Sequence, residues 1–139
     1  MFRKAKEKLI DWKNNSKNAL LVTGARQVGK TCIIREFLEE EIGEDNFIEF
    51  NLFENELAKK TIDNSLNSED LLFRLSALSN KQMIKGKTVI FLDEVQVCSN
   101  SITAIKVLVR EGSYRYILSG SLLGTELKDI KSIPVGYMS

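Results

Sequence analysis

Gly24-Ala25-Arg26-Gln27-Val28-Gly29-Lys30-Thr31 is the stretch from which the rest of this chain is read. It follows the pattern G-x-x-x-x-G-K-[ST], a glycine-rich turn that cradles phosphate groups. The flanks are those the pattern requires. Ala19-Leu20-Leu21-Val22 precedes it, an apolar run expected to form a buried parallel strand. Ile33, Ile34, Phe37, Leu38 and Ile42 follow at helical spacing, with Gly43 placed to end that helix. Gly24 and Gly29 permit positive φ and a close backbone approach to a ligand. Successive N–H groups then form an anion nest at the positive end of the following helix. Lys30 is predicted to reach the β- and γ-phosphates, and the Thr31 hydroxyl to ligate Mg²⁺. The predicted nucleotide-binding segment runs from Gly24 to Cys32.

Composition sets bounds. The 139 residues carry 20 Lys/Arg and 19 Asp/Glu, so bulk charge points to no partner. The distribution is uneven. Residues 1–18 hold six Lys/Arg and two carboxylates, whereas residues 36–56 hold nine Asp/Glu and no Lys/Arg. The basic segment reads either as a solvated helix face or as an arm for nucleic acid. The chain has no histidine, which excludes histidine-dependent triads, bases and metal ligands. Cys32 and Cys98 are expected to be free thiols, and Cys32 to pack in the core. No apolar run is long enough to span a bilayer and no signal peptide is visible, so a cytoplasmic location is expected.

Strands alternate with helices along the chain, which predicts βαβ units and a parallel sheet. Phe2, Ala5, Leu9 and Trp12 mark an amphipathic N-terminal helix that docks on the domain; the alternative for Trp12 is a wall of an adenine pocket. Phe47–Leu52 reads as a second strand. Residues 54–84 read as two helical pieces, the second capped by Ser68. Thr88–Leu92 is a third, central strand and Tyr114–Leu118 a fourth, with a helix between them ending near Gly112. Residues 122–139 carry a mixed pattern.

Asp93-Glu94 follows the third strand directly. In open α/β sheets, ligands sit at the carboxyl ends of strands, which brings this pair to the glycine turn. A hydrophobic strand ending in Asp-Glu is the Walker B pattern, the partner of the Walker A turn. Asp93 is expected to hold Mg²⁺ and Glu94 to act as general base toward the attacking water. Ser119 and Ser121 end the fourth strand, predicted to lie between the first and third, and are sensor candidates for the γ-phosphate. Asn51 ends the second strand beside the third and is a candidate to hold Glu94 by its amide.

With these residues assembled, the chain resembles a prokaryotic AAA+-type P-loop ATPase family with an uncharacterised C-terminal domain. The marks are Gly-Ala-Arg-Gln-Val-Gly-Lys-Thr (24–31), Phe-Leu-Asp-Glu-Val-Gln (91–96), Leu-Ser-Gly-Ser (118–121) and Ser-Ile-Pro-Val-Gly (132–136). The resemblance implies an α/β P-loop fold of one ATPase domain over residues 1–139, with ATP and Mg²⁺ as ligands. Members usually carry a basic residue after Pro-Val-Gly, where this chain has Tyr137. They also continue into a fifth strand, a lid and a C-terminal domain. The expectation is therefore an N-terminal core truncated after its fourth strand, with the first strand at an open edge.

The function expected is hydrolysis of Mg·ATP to drive a conformational switch. Protein or nucleic-acid partners would engage through the further C-terminal regions, with oligomerisation open. The other readings are a nucleotide-gated interaction module with little turnover and a small-molecule kinase. The Asp-Glu pair and the lack of an arginine-rich lid segment argue against the kinase.

Overall fold

The computed structural model describes residues 3–17, 19–23, 29–120 and 130–134. Its frame is a parallel sheet of β1 (Ala19–Thr23), β2 (Phe47–Asn51), β3 (Val89–Asp93), β4 (Arg115–Gly120) and β5 (Ile130–Pro134), in the order β2-β3-β4-β1-β5. The inner strands are apolar throughout because helices cover both faces. Side chains alternate between those faces. Leu20, Val22, Phe47, Val89, Phe91 and Ile117 pack under α1 (Arg3–Asn15) and α2 (Lys30–Phe37). Leu21, Ile48, Phe50, Ile90, Leu92 and Leu118 pack under α3 (Glu56–Asn64), α4 (Ser68–Leu78) and α5 (Ser101–Glu111). The sheet thus divides two cores.

α1 docks as its apolar stripe predicts: Ala5, Leu9 and Trp12 are buried. Trp12 is 0 % exposed, with the Arg115 guanidinium 4.1 Å from its ring centroid, so it is core rather than the wall of a ligand pocket. The uneven charge has a local explanation. Lys6 pairs with Glu36 and Glu40 at 2.8 and 2.9 Å, and Lys13 with Glu41 at 3.5 Å. The basic face of α1 lies against Glu36 of α2 and the acidic π-helical turn Leu38–Ile42 that continues it.

Several expectations need correction. The sheet does not stop at four strands, because β5 pairs with β1 from Ala19↔Ile130 to Thr23↔Pro134, which makes β1 interior. An edge strand needs one ladder partner only and tolerates a terminal proline, so its sequence lacks an apolar run. α4 is capped by Asn67, whose side chain accepts from Asp70 N at 2.8 Å, with Ser68 already inside the helix. Residues 79–84 are not helical. Cys32 is exposed, whereas Cys98 is buried.

Candidate nucleotide site

The two halves of the site meet at the carboxyl ends of the strands. α2 starts directly after Gly29, which sits in the left-handed region at φ 73°, ψ 30°, a conformation glycine adopts without steric cost. Lys30, the first residue of α2, is 4 % exposed. Gly24, Ala25, Arg26, Gln27 and Val28 lie outside the described residues, as does Ser121.

Thr31 Oγ1 donates to Asp93 Oδ2 at 2.7 Å. This bond joins the first turn of α2 to the tip of β3, residues 62 positions apart in sequence. Asp93 is 1 % exposed, and its second oxygen accepts from Glu94 N at 3.0 Å. Burial pushes the Asp93 pKa above the ordinary carboxylate value; the Thr31 and Ser119 hydroxyls oppose this, while Glu94 and Glu49 add to the rise. Ser119 is 0 % exposed, and its hydroxyl makes no properly formed hydrogen bond among the described residues. A buried hydroxyl beside a buried carboxylate, with no well-formed bond among the described residues, is a feature expected to have a use.

Glu94 is the only non-glycine residue with positive φ among the described residues, at φ 59°, ψ 46°. Such a backbone costs about 1–3 kcal/mol and persists where surrounding structure demands it. It opens a 3₁₀ turn, Val95–Val97, whose Val95 is buried. Gln96 Nε2 donates to Glu94 Oε2 at 2.5 Å. Asn51 does stand opposite Asp93 in register. Its side-chain oxygen, however, accepts from Phe53 N and Glu54 N at 2.9 and 3.1 Å and closes its own turn.

Two features escaped the sequence reading. Arg35 donates to Glu49 through two nitrogens, Nε at 2.8 Å and a terminal nitrogen to the other oxygen. A fork-to-fork pair of this kind fixes both side chains. Its signal was a lone carboxylate alternating with apolar residues in β2, one turn of α2 beyond Thr31. The second is Gly120. A Cβ there would lie 2.7 Å from Gln96 Oε1 and 2.9 Å from Val95 Cγ2. Only glycine lets the end of β4 pass this close to the turn after β3.

No curated protein matches the sequence. Among solved structures, Drosophila ORC bound to DNA is similar with TM-score 0.60 and 16 % identity, over 96 % of this chain and 42 % of that one. Drosophila ORC bound to GC-rich DNA and Cdc6 is similar with TM-score 0.59 and 14 % identity, over 99 % of this chain and 55 % of that one. The chain therefore spans about half the length of the structures it matches, and at these identities the likeness is one of fold. The family described as an AAA domain matches residues 16–139, which include every site residue above. Its match, with the Thr31–Asp93 junction and the parallel sheet, leads to one conclusion: the chain belongs to this AAA domain family, a nucleotide-binding P-loop ATPase fold.

Proposed function

We propose that this chain binds Mg·ATP across the tips of β1, β3 and β4 and hydrolyses it, the turnover driving a conformational switch. The carrying observation is the Thr31–Asp93 hydrogen bond, which brings a hydroxyl and a carboxylate together beside the start of α2. These are hard oxygen donors, the set that suits Mg²⁺ held by few protein groups together with substrate phosphates. Thr31 and Asp93 would hold the ion, whose charge would offset that of the phosphates.

The chain's own groups have distinct tasks. The amides from Gly24 to Thr31 and the Lys30 ammonium bind the phosphates and stabilise charge developing on the γ-oxygens. Glu94 orients a water and accepts its proton as the water oxygen bonds to the γ-phosphorus. The bond from that phosphorus to the β-bridging oxygen breaks, and ADP leaves with the electron pair. Ser119 and Ser121 report on the γ-phosphate from the tip of β4.

The test compares ATP binding and hydrolysis in the wild type, Lys30→Ala and Glu94→Gln. Lys30→Ala is expected to abolish measurable ATP binding. Glu94→Gln should keep binding and lower kcat by about 10²-fold or more, the range for a general base. A Glu94→Gln variant with unchanged turnover removes Glu94 from its role, and binding unaffected by Lys30→Ala rejects the phosphate site.

A further inference from the structure

We infer that Gln96 is a positioning residue for Glu94: its side-chain amide fixes the carboxylate that receives the water proton, and Gly120 on the neighbouring strand leaves the room that amide needs. The inference rests on the reading of Glu94 as general base and assigns a task to the Gln of Asp93-Glu94-Val95-Gln96.

Gln96 Nε2 donates to Glu94 Oε2 at 2.5 Å, a charge-assisted bond. The opposite amide orientation would set Gln96 Oε1 against the carboxylate and repel it. Both residues belong to one tight turn. Val97 N donates to Glu94 O at 3.3 Å and Cys98 N to Val95 O at 3.1 Å. Ser101 Oγ donates to Val95 O at 3.0 Å and ties the turn to the start of α5. The left-handed backbone of Glu94 reverses the chain so that the side chain two residues later folds back on its own.

The other end of the amide lies against β4. A Cβ at Gly120 would come within 2.7 Å of Gln96 Oε1 and 2.9 Å of Val95 Cγ2, so the absent methyl leaves room for both. An amide suits the task chemically. It orients a carboxylate without the full positive charge of lysine or arginine, which would oppose protonation. Orientation matters because displacement of a reacting group by about 1 Å can cost about 10²-fold in rate.

The test uses the whole chain with Gln96→Met, which keeps length and bulk but lacks the donor, and with Gly120→Ala. In Gln96→Met, kcat for ATP hydrolysis should fall about 10–100-fold, the usual loss on removing an orienting partner. The Kd for ATP should stay within about twofold and the melting temperature near wild type. Gly120→Ala should lower kcat in the wild type and have a smaller effect beside Gln96→Ala, since only the crowding of Val95 then remains. One readout needs no turnover. In ¹⁵N–¹H spectra of the nucleotide-free protein, one Gln96 amide proton should be shifted downfield and slow to exchange. That signature should vanish in Glu94→Ala. Wild-type kcat in Gln96→Met, a kcat loss matched by lost ATP affinity, or a freely exchanging Gln96 amide each overturns the inference. Failure of the underlying reading looks different: Glu94→Gln turns over normally while the amide signature persists.

Discussion

Replacing Arg115 with alanine should loosen the N-terminal helix from the domain, and the size of the effect can be worked out. Arg115 begins β4, and its guanidinium donates to Trp12 O, Lys13 O and Ser16 O at 2.8, 3.0 and 2.7 Å. These carbonyls lie at the C-terminal end of α1, where the helix carries partial negative charge. The same group stacks on Trp12. Hydrogen bonds to a charged donor contribute about 1.5–3 kcal/mol each, and exposed to partly buried stacking about 0.5–1 kcal/mol. Low-end values sum to about 5 kcal/mol. Two of the bonds share one nitrogen, and desolvation lowers the Arg115 pKa, a sign that burial opposes the charge. About 3 kcal/mol is then expected for Arg115→Ala, with a melting point about 10 °C lower. Arg115→Lys should lose roughly half as much, because an ammonium cannot match the planar fork. Urea titration followed by the fluorescence of Trp12, the single tryptophan, reads this directly. Exposed Arg110→Ala is the control and should stay within about 0.5 kcal/mol of wild type. An Arg115→Ala protein within about 1 kcal/mol of wild type would refute the reasoning. The family match begins at residue 16, so the same titration tests whether α1 belongs physically to the unit that follows it.

Three further outcomes are expected. Thr31→Ala should weaken ATP binding in Mg²⁺ far more than in EDTA, measured with a fluorescent ATP analogue; equal losses in both would detach Thr31 from the ion. Glu94→Gly should raise unfolding free energy by about 0.5–1 kcal/mol while ending hydrolysis, because glycine accepts the left-handed backbone without strain; destabilisation by denaturant melt would contradict the strain. Native protein should release one fast equivalent with a thiol reagent, from exposed Cys32, and a second only on unfolding. Burial and its bond to Asp63 push the Cys98 thiol up to about 12 from an ordinary 9.0. With the folded pKa raised, this contribution to stability is intact below about pH 9 and is lost as pH climbs toward 12, where the unfolded chain has already released its proton.

Much of this was legible in the residues, for physical reasons. β1 and β3 are buried on both faces, so their letters are almost wholly apolar, and the glycine turn and Asp93-Glu94 fall at their ends. That fixed the strand order and the meeting of Thr31 with Asp93 before any coordinates. β5 was illegible because Lys131, Ser132 and Pro134 are acceptable on an edge and carry no period. The cap of α4 slipped by one residue because Asn67 and Ser68 are both good caps, and only the backbone decides which lies outside the helix. The Gln96 bond to Glu94 went unread because register predicts which strands adjoin but not how a turn folds back. The approach of Gln96 to Glu94 depends on a left-handed residue and a missing methyl, neither with a periodic signature. The charge blocks in residues 1–18 and 36–56 meet in part: Lys6 and Lys13 pair with Glu36, Glu40 and Glu41.

The sheet that parts the two cores also has a genetic consequence. Among the described residues, the buried apolar side chains under α1 and α2 form one cluster and those under α3, α4 and α5 another. Pairs drawn from opposite layers should therefore combine without epistasis, and pairs within a layer should show it. The rim where Thr31 touches Asp93 is an exception, a point at which a defect in one layer becomes visible to the other.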